Sequence, residues 1–302
     1  MLANEMFLDS ASLRSSIVSH AKTLGYLPIS SRAAVATVDV TLNTLIASAT
    51  MPAGTVFSTS VDGTDYQFVT SSSYTASNVG SGITFLAAKI YEGTFVTTRY
   101  TVDTSDADQR FLLTDNRSDT NTLIVKVQNS SSDTVTTTYT LATDITQVSA
   151  TSNVYFLQEV EAGKFEVYFG DGIIGTALSD DNIVILTYVV SNKSVANGAA
   201  VFTNSAAIAT VTDVAVATVS SATGGSEPES LKSIKYNAPL DYASQGRCVT
   251  AEDYKLYAKK LFPNAQAVQV FGGDTGSYDT SVGVVSTAEY GKVFISIKST
   301  TG

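Results

Sequence analysis

The sequence predicts an α+β fold that is mostly β, with an N-terminal helix, β-rich middle domains and a small C-terminal α+β unit that reads as truncated. Three observations carry this. Period-two runs rich in Val, Ile, Thr, Tyr and Phe, separated by Gly, Asn, Asp and Ser clusters, fill residues 33–223. Three- and four-residue apolar spacing marks the beginning of the chain and the segment after Gly224-Gly225. The last helical stretch is followed by two strand-like runs, the order expected of a compact α+β unit. The division that follows is 1–32, a helical segment; 33–223, β-rich, with room for two subdomains and an insertion near 55–150; and 224–302, an α+β domain that breaks off at SIKSTTG.

In the first helix Leu13, Ile17, Ala21 and Leu24 recur at helical spacing, Ser10 is placed to cap the start, and Gly25 stands where a left-handed C-cap belongs. This stripe fits either packing on its own domain or a seam against a helix of another polypeptide. From Ala33 to Thr44 the period changes to two, with Val38, Val40 and Leu42 on one face and Thr37, Asp39 and Thr41 on the other. Strand-like runs follow at Tyr66–Val69, Lys89–Val102, Leu123–Val127, Val154–Val160, Phe165–Phe169, Ile183–Val190 and Ile208–Val219. A helix then starts at a Ser226/Glu229 capping box, uses Leu231 and Ile234 as its stripe, and stops at Pro239. In the next, Thr250 caps the amides around Asp253, Tyr254, Tyr257, Ala258 and Leu261 line one face, and Pro263 ends it. Ala265–Phe271 and Lys292–Lys298 read as strands joined by a glycine-rich loop.

With 302 residues, 44% hydrophobic and 15% charged, the chain can bury real cores. No window approaches the ~20 apolar residues of a membrane span, and MLANEMFLDS lacks the features of a signal peptide, so a soluble, unexported chain is expected. Cys248, the single cysteine, cannot form an internal disulfide and fits a reducing cytoplasm. The net charge is −10, and residues 36–225 hold 18 acids against 7 bases. Such a surface repels phosphate backbones, which argues against nucleic acid as a partner; the basic residues of 226–260 read as solvated helix faces.

Gly170, Gly172 and Gly175 match the dinucleotide fingerprint G-x-G-x-x-G, but the β-branched run Ile183–Val190 stands where a phosphate-binding helix is needed. They read as turn glycines, with Asp171-Gly172 as a tight β-connection. Asp103, Asp106 and Asp108 lack the spacing and closing glutamate of a calcium loop. The Ser/Thr-rich tract Ser130–Thr138 suits the wet face of a strand. His20 is the only histidine, and with Cys248 it is too little for a zinc site or a catalytic triad. No catalytic residue, cofactor or metal is expected.

The segment FGDGIIG, the strand with Tyr188 and then Asn197-Gly198 resembles the signature of the baseplate J-like family of contractile phage tails. Two further blocks agree in order. Leu13-Arg14-Ser15-Ser16, Leu24-Gly25-Tyr26-Leu27-Pro28 and Ser30 resemble the start of the conserved part of the baseplate wedge subunit of T-even-like phages. Gly224-Gly225-Ser226-Glu227-Pro228-Glu229, Ala238-Pro239 and the helix start Arg247, Thr250, Asp253, Tyr254 resemble the family's second block. The resemblance implies a structural protein of the virion, assembled in the host cytoplasm, forming a ring around the central hub with copies of itself and neighbouring wedge subunits and transmitting the trigger for sheath contraction. It implies no membrane or nucleic-acid partner. A β-rich receptor- or glycan-binding virion module is the alternative.

Overall fold

From Val35 to Leu42 every second side chain is buried, so the apolar alternation makes a strand, β1 (Val35–Leu42). The structure is a computed structural model that describes residues 2–80, 82–106, 108–143, 145–262, 265–273 and 290–299. It divides into two compact units, a larger one of Leu27–Glu229 and a smaller one that joins Met1–Tyr26 to Ser230–Gly302.

The larger unit continues with β2 (Ser48–Met51), β3 (Val56–Val61), β4 (Thr64–Thr70), β5 (Tyr74–Ser77), β6 (Ile83–Glu92), β7 (Thr94–Thr101), β8 (Phe111–Leu112), β9 (Ser118–Gln128), β10 (Thr136–Leu141), β11 (Val154–Glu159), β12 (Phe165–Phe169), β13 (Ile183–Val190) and β14 (Val214–Thr223). A first sheet has five strands in the order β14-β1-β6-β4-β3, a second has seven in the order β7-β13-β9-β10-β11-β12-β8, and β2 pairs with β5 as a separate ribbon. Pairing is antiparallel except between β10 and β11.

The run Lys89–Val102 is two strands, not one. At Gly93 the chain leaves the first sheet and enters the second with φ 124°, and a Cβ there would lie 2.2 Å from the Val190 carbonyl oxygen, so the crossing requires glycine. The run Ile208–Val219 is also corrected. Ala209 and Thr210 have positive φ and Ile208 bridges Val211, which makes a tight turn, and the strand proper begins at Val214.

Each sheet has its own core. Val38, Val40, Leu42, Phe57, Phe68, Phe85 and Ile90 bury the first, with Phe202 edge-on to Phe68 at 4.9 Å. Val125, Phe165, Val167, Val184, Leu186 and Tyr188 bury the second. The buried Tyr188 hydroxyl keeps a partner, because the Thr114 amide donates to it at 3.1 Å. Two buried carboxylates clasp the sheets. Glu92, at the end of β6, accepts the Asn192 main-chain and side-chain amides, both at 2.8 Å, and Asp119 on β9 accepts the Ala33 amide at 3.0 Å.

The smaller unit holds α1 (Arg14–Thr23), α2 (Leu231–Ser244), α3 (Ala251–Leu261), β15 (Ala265–Gly272) and β16 (Val293–Ser299). Ile17, Val18 and Ala21 of α1 pack with Ile234 and Ala238 of α2; burying each isoleucine contributes about 1.5–3 kcal/mol. Four caps, ends and faces differ from the sequence reading. Ser10 does not cap α1; the Glu5 carboxylate does, accepting the Ser12 amide at 2.9 Å and the Leu13 amide at 3.2 Å. Ser226 and Glu229 form no capping box, because Glu229 faces back to Ile29 and accepts its amide at 3.1 Å, while Ser230 caps α2. Pro239 does not end α2 but lies inside it; a proline removes one helical hydrogen bond, and the buried Ile234 and Ala238 face outweighs that loss. On α3 the buried residues are Leu256 and Ala258, whereas Leu261 is 74% exposed. Pro263 and residues 274–289 of the glycine-rich loop lie outside the described residues.

Candidate assembly surface

The turn Gly170–Gly175 joins β12 to β13, with no helix between them. Asp171 organises it: its carboxylate accepts the Ile173 amide at 2.9 Å and the Ile174 amide at 3.1 Å, and these two donors hold its carboxyl below the usual range. The Gly172 amide donates to the Gly175 carbonyl at 3.0 Å. The three glycines have different reasons. Gly172 and Gly175 both adopt φ 86°, whereas at Gly170 a Cβ would meet the Ile174 carbonyl oxygen at 2.2 Å. The turn is docked through Gly175 on the Ser149 carbonyl at 3.1 Å, and it leaves Ile173 75% exposed. Across the β11–β12 hairpin, Phe156 and Tyr168 are paired in register with rings stacked 5.2 Å apart. A phosphate site needs helix amides aimed at the anion; this turn spends its amides on Asp171 and on itself, and displays an isoleucine.

The α1 stripe is split between buried and open positions. Ile17 and Ala21 are buried within the smaller unit, Leu24 is partly buried, and Leu13 is 58% exposed. The start of α3 is an architectural device. Thr250 Oγ1 accepts the Asp253 amide at 3.2 Å, and the Asp253 carboxylate accepts the Thr250 amide at 2.8 Å and the Val249 amide at 3.1 Å. Those amides, with Arg247 nearby, keep the Asp253 carboxyl low, and Tyr254 follows half-buried.

Sequence reasoning did not find a groove of about 700 Å³ in the larger unit, lined by Tyr66, Gln67, Glu92, Arg117, Asn192 and Lys193 among others. Four of its charged side chains are engaged: Lys193 pairs with Glu227 at 2.5 Å, Arg117 pairs with Asp115 at 2.9 Å, and the Glu92 carboxylate accepts the neutral Asn192 side-chain amide at 2.8 Å. Burial pushes the Glu92 carboxyl up, and the Asn192 donors offset part of that. These residues come from five separated segments, so no local motif could have announced them. Two acids of the 103–108 loop are likewise occupied, Asp103 accepting the Ser105 amide at 2.9 Å and Asp106 the Asp108 amide at 3.0 Å. Among the described residues no three His, Cys, Asp or Glu side chains gather in a metal-ligating group, and no helix is long and apolar enough to cross a membrane.

With this geometry in hand, likeness to known proteins becomes informative. Residues 250–302 match the family model for the baseplate structural protein gp6, C-terminal domain I. The chain is 28% identical over 304 residues to baseplate wedge protein gp6 of Enterobacteria phage T4, which covers 90% of this chain and 44% of the T4 protein. The chain therefore spans less than half the length of that relative, and its resemblance to baseplate wedge subunits holds. The six-fold symmetrised baseplate of the anti-feeding prophage aligns over 84% of this chain and 48% of its own at 11% identity, with a TM-score of 0.30, too low to carry any argument.

Proposed function

We propose that this chain, as a relative of baseplate wedge proteins, is a structural part of a contractile phage tail baseplate that works through contacts with other wedge subunits and with its own copies. One observation carries the reading, the likeness to a wedge protein along 90% of the chain. The geometry is compatible. Its family-motif residues build turns and helix caps, Lys193 and Glu227 of the groove are paired with each other, and its exposed side chains include Ile173, Leu13 and Leu261. In this reading the chain acts mechanically in the virion, in a ring around the hub whose rearrangement passes on the trigger for sheath contraction, and it is assembled in the host cytoplasm without catalysis.

Permanent interfaces of this kind bury more than ~2,000 Å² with apolar centres, and burial of apolar surface is not screened by ions. Co-expressed with other wedge subunits of the same phage, the chain should elute as a complex whose mass by light scattering is unchanged across an ionic-strength series. A chain that stays monomeric with those partners present rejects the reading and returns a glycan- or receptor-binding module to first place.

A further inference from the structure

Asn197 and Gly198 each meet a demand of the larger unit that few residues can meet. The Asn197 side chain grips a single residue by both of its main-chain groups: its Oδ1 accepts the Gly225 amide at 2.9 Å, and its Nδ2 donates to the Gly225 carbonyl at 2.9 Å. A carboxamide offers that acceptor and donor side by side, and a carboxylate does not. Gly198 holds φ 91°, in the left-handed region, and its amide donates to the Ala222 carbonyl at 2.7 Å. On the facing segment position 225 requires glycine, because a Cβ there would lie 2.2 Å from the Lys193 carbonyl oxygen. The Lys193–Glu227 ion pair joins the same two segments. Local geometry has thus set a glycine directly after an asparagine. Asparagine is a thermolabile residue, and its carboxamide carbon is most open to attack by the next main-chain nitrogen when that nitrogen belongs to a residue without a side chain.

We propose that Asn197 is a latent deamidation site, held inert by its grip on Gly225 and converted when that contact opens. In the reaction the Gly198 nitrogen gives its proton to water and bonds to Asn197 Cγ. The Cγ–Nδ2 bond breaks, and Nδ2 takes up a proton and leaves as ammonia. Water then opens the resulting imide ring at either carbonyl, which leaves an aspartate or its β-linked isomer at 197. The closed contact opposes the first step. Two hydrogen bonds fix the carboxamide on Gly225, a third keeps the Gly198 proton on the Ala222 carbonyl, and all three have to break before nitrogen and carbon can meet. Conversion is also one-way. An ionised carboxylate only accepts, so at position 197 it sets an oxygen against the Gly225 carbonyl where the Nδ2 donor stood, and the contact does not close again. The inference is independent of the assembly reading, since it needs one chain and water.

Ageing the chain at neutral pH and following peptide 194–232 by mass, where the amide becomes an acid, tests it. The folded chain should convert at 197 at least ~10-fold more slowly than the same chain in urea, because conversion draws only on the open population. Gly225→Ala, whose added Cβ forces the contact apart, should bring the rate without urea to within ~3-fold of the unfolded rate. A second measurement holds even where that variant does not fold: in the native chain, below the unfolding transition, conversion should rise with urea in step with hydrogen exchange at Gly198 and Gly225. Asn197→Asp should leave the Gly225 amide at least ~10-fold less protected while β1 keeps its native exchange. Equal conversion in the folded and unfolded chains, conversion that does not follow exchange, or native protection of Gly225 in Asn197→Asp overturns the proposal.

Discussion

Glu92 and Glu5 both accept main-chain amides, yet they should affect stability in opposite pH directions. Glu92 is fully buried, and burial raises its carboxyl. A carboxyl raised by folding gives stability that is full below its unfolded pKa and is lost as pH rises through the folded value. Glu92→Gln removes that loss, and a flipped Asn192 amide can keep both contacts, so its stability relative to the native chain should be higher at pH 8 than at pH 4 in urea unfolding. Glu92→Ala strips both hydrogen bonds and should cost about 2–4 kcal/mol. An equal effect of Glu92→Gln at both pH values would refute the assignment. Glu5 is the reverse case. The Ser12 hydroxyl and amide, with smaller help from Ser16 and Leu13, bring its carboxyl from 4.5 to about 2. Its stabilisation is present above about 4.5 and disappears as pH falls towards about 2, so Glu5→Gln should flatten the acid limb of α1 unfolding in that window. At this scale the sequence was legible where a role is local, as in Gly172 following Asp171. It was not where the partner is distant: Gly170 answers to Ile174 across the turn, and the cap of α1 comes from seven residues before Ser12, which no N-cap pattern anticipates.

Among the elements, strands with an apolar alternation could be read and polar strands could not. β1, β12 and β13 each bury valine, isoleucine or phenylalanine on a regular face. β2 and β5 are held instead by cross-strand partners such as the Thr50 and Thr75 hydroxyls at 2.9 Å, and that pairing is invisible until the two segments are brought together. Pro239 misled for a related reason, since a helix anchored by tertiary packing tolerates a residue that local propensity rejects. The α3 cap was legible because all of its parts lie within four residues. Thr250→Ala should cost about 1 kcal/mol and speed amide exchange in the first turn of α3, leaving β1–β14 unaffected. Unchanged exchange at residues 251–254 would mean that packing, not the cap, sets that helix start.

In the whole molecule, the two units have separate cores, so calorimetry should show two transitions of unequal enthalpy. Ile234→Ala should lower only the smaller one, with a loss of about 2–4 kcal/mol. A single transition moved as a whole by that substitution would show the units to be one cooperative body. Local periodicity identified helices at both ends of the chain, but the packing of Ile17 on Ile234 lies outside any window that periodicity can inspect. That packing also sets a timetable for synthesis. At about 5–20 residues per second, the ribosome releases α1 roughly 10–40 s before α2 emerges to cover it. Through that interval Ile17, Val18 and Ala21 lack the α2 face that covers them, and ten residues are too few to hold a helix alone, so α1 stays open while the β sheets form between the two halves of its unit. The smaller unit can close only after α2 has been made, so a chain cut short before it would present a β unit and an unmatched N-terminal segment.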